Sequence, residues 1–143
     1  MKLAGTTLSV ILMAGLLSSC SPKAPEQIKL NSDACDFCKM TISDVRFAAE
    51  LITNKGRIYK FDDLACMQNY KNEDPHAKES HCYISDFNNA GQFLEVEKAI
   101  YVQSEEVKSP MGGNTAAFAD ESSAKTYSEK IQTAPLTWDD VRK

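Results

Sequence analysis

The chain lacks the features that mark several large functional classes. It has no basic stripe and no long Lys/Arg run: 16 basic residues stand against 20 acidic ones, a formal net charge of −4. Nucleic-acid binding by electrostatics needs clustered positive charge, so that class is excluded. There is no GxSxG elbow and no phosphate-cradling glycine loop, and so no support for serine acyl transfer or nucleotide hydrolysis. Beyond the first residues no apolar run approaches the roughly 20 residues that cross a bilayer.

What is present starts at the N-terminus. Lys2 precedes an apolar run over residues 3–17, followed by Ser18-Ser19-Cys20. A run of about 15 residues is too short to span, and small residues follow it, so 1–19 read as a cleaved secretory signal peptide. Leu17-Ser18-Ser19-Cys20 resembles the lipobox of bacterial lipoproteins, in which the cysteine is lipidated and becomes the first mature residue. Cys20 is then the lipidation site, and lipid alone anchors the chain to a membrane. That places it in the cell envelope, facing the periplasm, and Ser21 after the cysteine favours the outer membrane. Residues 20–32 read as lipid attachment and flexible tether, because Ser21-Pro22-Lys23-Ala24-Pro25 has two prolines and no apolar periodicity. The folded domain is expected over 33–143. A hydrophobic content of 43% suits one globular domain.

Local patterns suggest an α+β fold of small antiparallel sheets with packed helices. Residues 46–61 read as a β-hairpin around Asn54-Lys55-Gly56. Asp62 or Asp63 can cap a helix to about residue 71, with Leu64, Met67 and Tyr70 on one face. Residues 72–80 read as a loop, 81–84 as a strand, 87–91 as a turn, and 93–102 as one strand or two short ones. Ser109-Pro110-Met111-Gly112-Gly113 breaks regular structure. A short strand over 114–118 leads to a helix from Asp120 to about 131, with Ala124, Tyr127 and Ile131 on one face. Residues 135–143 read as a tail. Phe61-Asp62-Asp63 and Phe118-Ala119-Asp120 each open a helix, and Tyr70 and Tyr127 follow at equal spacing. This echo suggests two similar ββα-like halves, about 33–75 and 80–135.

The cysteines carry the chemistry. There are five: Cys20, Cys35, Cys38, Cys66 and Cys82. With Cys20 lipidated, four remain in an oxidising compartment, and two disulfides are one reading. Cys35-Asp36-Phe37-Cys38 is more specific, because two thiols at this spacing can hold one ion. Met40 adds a thioether, and thiolate with thioether is a soft set that selects Cu(I) rather than zinc; ordinary packing is the competing fate of a methionine. Met111, on a loop of small residues, could likewise be presented to a site. Cys66 on a helix reads as a small buried hydrophobe. His81 is the better histidine candidate for a third ligand, with His76 left in a polar loop. Cys35, Cys38, His81 and Cys82 would alternatively suit structural zinc, although His81 and Cys82 point to opposite faces of a strand. A redox dithiol is the third reading. Against it, Asp33 and Asp36 should raise the thiol pKa values.

Together these residues resemble the NosL family of periplasmic lipoproteins associated with nitrous oxide reductase. The likeness rests on the lipobox at Cys20, the D-x-C-x-x-C-x-M run from Asp33 to Met40, Phe61-Asp62-Asp63 with Cys66 soon after, and Ser109-Pro110-Met111-Gly112 followed by Ala117-Phe118. The resemblance implies a copper chaperone rather than an enzyme. It would deliver Cu(I) to the copper-sulfide centre of nitrous oxide reductase in denitrification, with membrane-bound maturation proteins as further partners. It also implies two small similar α+β halves, akin to a domain of organomercurial lyase. The implied ligands are Cys35, Cys38 or both, with Met40 and Met111; Cys35 and Met111 lead. His81 has no counterpart in the family pattern. Cys66 and Cys82 leave room for a structural disulfide.

Overall fold

A computed structural model describes residues 23–141. The expected signal peptide and the lipidation site Cys20 lie outside the described residues.

Gly56, at φ +81°, supplies the left-handed backbone that reverses the chain after residue 53. On either side run β1 (Ala49–Thr53) and β2 (Ile58–Phe61), an antiparallel hairpin that pairs Ala49 with Phe61 and Ile52 with Ile58. β3 (Ser80–Ser85) joins the other edge of β1, with Leu51 opposite Cys82, and β4 (Phe93–Glu95) joins β3. The sheet order is β2-β1-β3-β4. β1 is therefore central, and its first four residues are all buried. β5 (Ile100–Gln103) and β6 (Thr115–Phe118) form a separate antiparallel pair. The 93–102 region thus supplies two strands to two different sheets.

Both main helices begin at an aspartate. α1 (Leu64–Glu73) is capped by Asp63, which accepts the Cys66 N–H. α2 (Glu121–Lys130) is capped by Asp120, which accepts the Ser123 N–H. Each cap satisfies a donor that the helix itself leaves unpaired. α1 packs Leu64 and Met67 against Leu51, Phe61 and Ile84 in the larger core, with Tyr70 at its margin. α2 lays Ala124 and Tyr127, with Ile131 just past its end, on a second cluster with Phe47, Val102 and Phe118. Alternation along β5 and β6 divides the two clusters: Tyr101 and Ala117 join the larger core, and Val102, Ala116 and Phe118 join the second.

The fold is α+β, with the units β1-β2-α1 and β5-β6-α2 each built as hairpin plus capped helix. β3 and β4 follow residue 80, yet they extend the first sheet rather than the second. The segment expected as a tail is packed. Leu136 and Tyr101 exchange backbone hydrogen bonds at 2.7 and 2.9 Å, and α3 (Trp138–Val141) buries Val141. The 72–80 connection holds a 3-10 turn at Pro75–Ala77. Packing also reaches back into the segment expected as tether: Ile28 is buried, and the Glu26 N–H donates to Glu50 at 2.9 Å.

Candidate metal centre

Residues 33–42 form a narrow loop closed by an isolated bridge between Ala34 and Thr41. The Cys35 N–H donates to the Met40 carbonyl at 2.8 Å, and the Lys39 N–H to the Cys35 carbonyl at 2.9 Å. Lys39 takes the left-handed conformation, φ +65°, that this reversal needs. The loop is fastened to the free edge of β2. The Asp36 N–H donates to the Lys60 carbonyl at 2.7 Å, and the Asp36 carboxylate accepts the Lys60 N–H at 2.8 Å. Asp33 pairs with the Lys60 ammonium at 2.7 Å. Both aspartates are thus engaged in docking the loop.

That docking carries Cys35 and Cys38 to the start of α1, where they meet Cys66. The three sulfurs lie within 4.8 Å of one another. With metal–sulfur bonds of about 2.3 Å, sulfurs around one trigonal ion stand about 4 Å apart, so the spacing fits a single ion. Cys35 and Cys66 are buried, and Cys38 is half-buried and opens the cluster to solvent. The four cysteines among the described residues are unbridged, Cys66 and Cys82 included.

The electrostatics favour one thiolate in this group. The Cys35 thiol is pulled down to about 5, first by the hydrogen bond it accepts from Cys66; burial opposes this, and the N–H groups of Cys38, Asp62 and Phe37 add to it. The expectation that Asp33 and Asp36 would raise the thiol is therefore wrong for Cys35, since converging donors outweigh nearby carboxylates engaged elsewhere. Cys66 is pushed up because it donates that hydrogen bond, is buried and faces the Cys35 charge. Cys38 is raised mainly by burial. A soft cation entering here meets one ready thiolate and displaces protons from its neighbours.

Both candidate methionines are exposed, Met40 at 58% and Met111 at 39%; Leu30, at 47%, is the other large apolar side chain exposed among the described residues. Met40 ends the cysteine loop. Met111 sits on the turn over 109–113, whose N–H groups at Met111 and Gly113 donate to Asp63 at 3.1 and 3.2 Å. Asp63 is also the cap that receives the Cys66 N–H at 3.1 Å. The Met111 loop and the Cys66 turn of α1 thus share one carboxylate.

His81 is not part of this group. It is exposed on β3, opposite Ile52, and the three-sulfur cluster holds no histidine. Its strand neighbour Cys82 points inward and is buried, 3.5 Å from the Lys71 ammonium, and does not join the cluster either. The four-ligand zinc set of Cys35, Cys38, His81 and Cys82 is therefore not assembled; only its first two members meet. Cys66 takes the place that sequence reasoning left to a histidine. Its position, three residues past a capping aspartate, was visible; its partners, far away in the chain, were not.

Comparison with known proteins identifies the family and the fold. The family model described as NosL matches residues 27–143. A copper-binding lipoprotein NosL of Stutzerimonas stutzeri is 29% identical over 136 residues, spanning 85% of this chain and 71% of that protein. The crystal structure of the copper chaperone NosL from Shewanella denitrificans has the same fold, with a TM-score of 0.71 at 18% identity over 83% of this chain and 96% of that one. The names of both relatives describe copper binding or chaperoning, and neither describes an enzyme.

Proposed function

The chain belongs to the NosL family, and from that membership we propose that it is a Cu(I)-carrying lipoprotein, a metallochaperone for assembly of the copper-sulfide centre of nitrous oxide reductase. The observation that carries the copper reading is the cluster of Cys35, Cys38 and Cys66, with sulfurs within 4.8 Å of one another and no histidine or carboxylate among them. All-sulfur sets with thioethers at hand select Cu(I). A structural zinc site needs four closed ligands, and this cluster has three.

The chemistry is ligand exchange. Copper is the cargo, held by the thiolates of Cys35 and its partners, with Met111 as thioether ligand and Met40 at the rim. Half-exposed Cys38 and the two exposed methionines leave one side open, so a recipient's ligand can enter before the carrier's leave and the ion is never free. Each thiol that binds copper loses its proton, so apparent affinity rises with pH until all bound thiols are ionised. The reading further places Cys20 in lipid, the domain in the periplasm with the outer membrane favoured, and nitrous oxide reductase with its membrane-bound maturation proteins as partners. Among the described residues no helix is long and apolar enough to cross a membrane. On this reading the lipid supplies attachment, and with it a high effective concentration near membrane partners.

The test is anaerobic titration of the reduced protein with Cu(I) against a competing chelator, beside Zn(II), for wild type and Met111→Ala. Tight Cu(I) binding that Met111→Ala weakens, with weak Zn(II) binding, is expected. Tight Zn(II) binding indifferent to Met111, or no tight binding of either ion, overturns the copper reading. Transfer of bound copper to apo nitrous oxide reductase, with and without its maturation proteins, tests the partners.

A further inference from the structure

The Met111 loop has no regular structure to hold it in place. Local bonds close it, with the Thr115 hydroxyl donating to the Gly113 carbonyl at 2.7 Å and the Gly112 N–H to the Ser109 carbonyl at 3.2 Å, and one side chain from the other half of the molecule gathers three of its donors. Asp63 is 1% exposed. Its Oδ1 accepts the Cys66 N–H at 3.1 Å. Its Oδ2 accepts three donors from the loop: the Ser109 hydroxyl at 2.7 Å, the Met111 N–H at 3.1 Å and the Gly113 N–H at 3.2 Å. The Ser109 hydroxyl in turn accepts the Asn114 N–H at 2.8 Å. Gly112 at φ +74° and Asn114 at φ +49° make the tight reversal that brings these donors to one point. The loop presses closely on α1: a Cβ on Gly113 would stand 2.9 Å from the Ala65 Cβ and 3.1 Å from Asp63 Oδ2. Ala65 immediately precedes Cys66.

We propose that Asp63 is a positioning residue for copper, fixing the 109–113 loop against the Cys66 turn so that Met111 stands at the mouth of the three-cysteine cluster. The inference rests on the copper reading above and on Met111 as a ligand. A carboxylate suits the task because it only accepts, and charge-assisted bonds are about twice as strong as neutral ones. One side chain then sets the separation between a thiol ligand on one half and a thioether ligand on the other. Disturbing residues that orient metal ligands typically weakens affinity by about 10- to 100-fold.

Asp63→Asn separates this role from simple helix capping. Asparagine caps as well as aspartate, so its oxygen can keep the Cys66 N–H while its amide donor confronts the loop's donors. Cu(I) affinity by anaerobic competition on the full mature protein is expected to fall about 10-fold, and X-ray absorption at copper should lose one sulfur. Met111→Ala should do the same, and the double variant should be no weaker than Met111→Ala alone. Ser109→Ala removes one loop donor and leaves both cap and charge. It should weaken binding in the same direction, and it carries the test if Asp63→Asn does not fold. Additive losses in the double variant, or wild-type affinity and sulfur count in folded Asp63→Asn, overturn the positioning role and leave the copper reading standing. A Met111→Ala that changes nothing overturns both the thioether ligand and the positioning role. A wild type that fails to bind Cu(I) removes the copper reading itself, and this inference with it.

Discussion

Asp63 and Asp120 open equivalent helices in the two β-β-α units, and they spend their second oxygen differently. Asp120 is exposed; it accepts the Ser123 N–H at 2.8 Å and, through its other oxygen, the Ser123 hydroxyl at 2.8 Å. Its bonds stay within one turn of its own helix. Asp63 is buried, has Cys66 at the position of Ser123, and reaches across some 46–50 residues to the Met111 loop. The contrast extends to the surroundings. The second cluster is apolar and aromatic, with Phe87 5.5, 5.6 and 5.1 Å from Phe47, Phe118 and Tyr127. Of the buried carboxylates among the described residues, Glu50, Asp62 and Asp63 lie in the first unit and its cap, and Asp86 directly follows β3; the three-cysteine cluster forms where the 33–42 loop meets that unit. One supersecondary plan thus serves two ends: packing in one copy, and a polar, reactive centre in the other.

The largest expected effect tests where the chemistry lies. Cys35→Ser removes the thiolate that the backbone donors are arranged around, and Cu(I) affinity should fall by more than the ~100-fold that a supporting residue costs. Retention of near wild-type affinity in a competition titration would move the centre away from this unit.

Next come the two caps. Asp63→Ala loses a cap and leaves buried loop donors unpaired, so urea unfolding should report a loss of about 2–4 kcal/mol. A loss no larger than that of Asp120→Ala would erase the distinction between buried coupling and local capping.

A third test uses the buried carboxylates. Burial pushes Glu50 up to about 7 from an ordinary 4.5, against the opposing pull of the Glu26 N–H and Lys60. The folded state therefore holds this proton between about pH 4.5 and 7 where the unfolded chain has released it. Glu50 thus adds a destabilising increment as pH rises through that window. Glu50→Gln should match wild type at the low end and become relatively more stable until about pH 7, where the gap levels off. A gap independent of pH would contradict the assignment. Among the described residues the second unit holds no buried carboxylate, so substitutions there should leave the profile between about pH 4.5 and 7 unchanged.

The smallest effect is Asp120→Ala, about 1 kcal/mol of stability with Cu(I) affinity untouched. A change in affinity would tie the second helix to the metal centre.

How much of this could be read in advance follows from the range of each interaction. The hairpin turn at Gly56, the helix starts at Asp63 and Asp120, and the break at Ser109-Pro110 rest on contacts a few residues apart, and local residue types specify them. The membership of β3 and β4 was not legible, because a strand's partner depends on which edge is free and apolar in three dimensions. His81 illustrates the same limit. Alternation on a strand dictates that His81 and Cys82 face opposite ways, but not that Cys82 enters the same core as Cys35 and Cys66 without joining the three-sulfur group. Asp33 and Asp36 flank the thiols in sequence, yet the loop turns them onto Lys60, and the Cys35 sulfur meets N–H donors instead.

The sequence by itself determined the ingredients: soft ligands in Cys35, Cys38, Met40 and Met111, a helix primed at Asp63, a loop of glycines after Pro110, and the resemblance that joined them into a family. Only the tertiary structure decided that Cys66 belongs with Cys35 and Cys38, that His81 does not, and that one carboxylate ties the Met111 loop to the Cys66 helix. Residue type and short spacing govern turns, caps and ligand softness. Which distant groups converge is settled by sheet pairing and core packing, since those alone fix distances between segments that the chain leaves free.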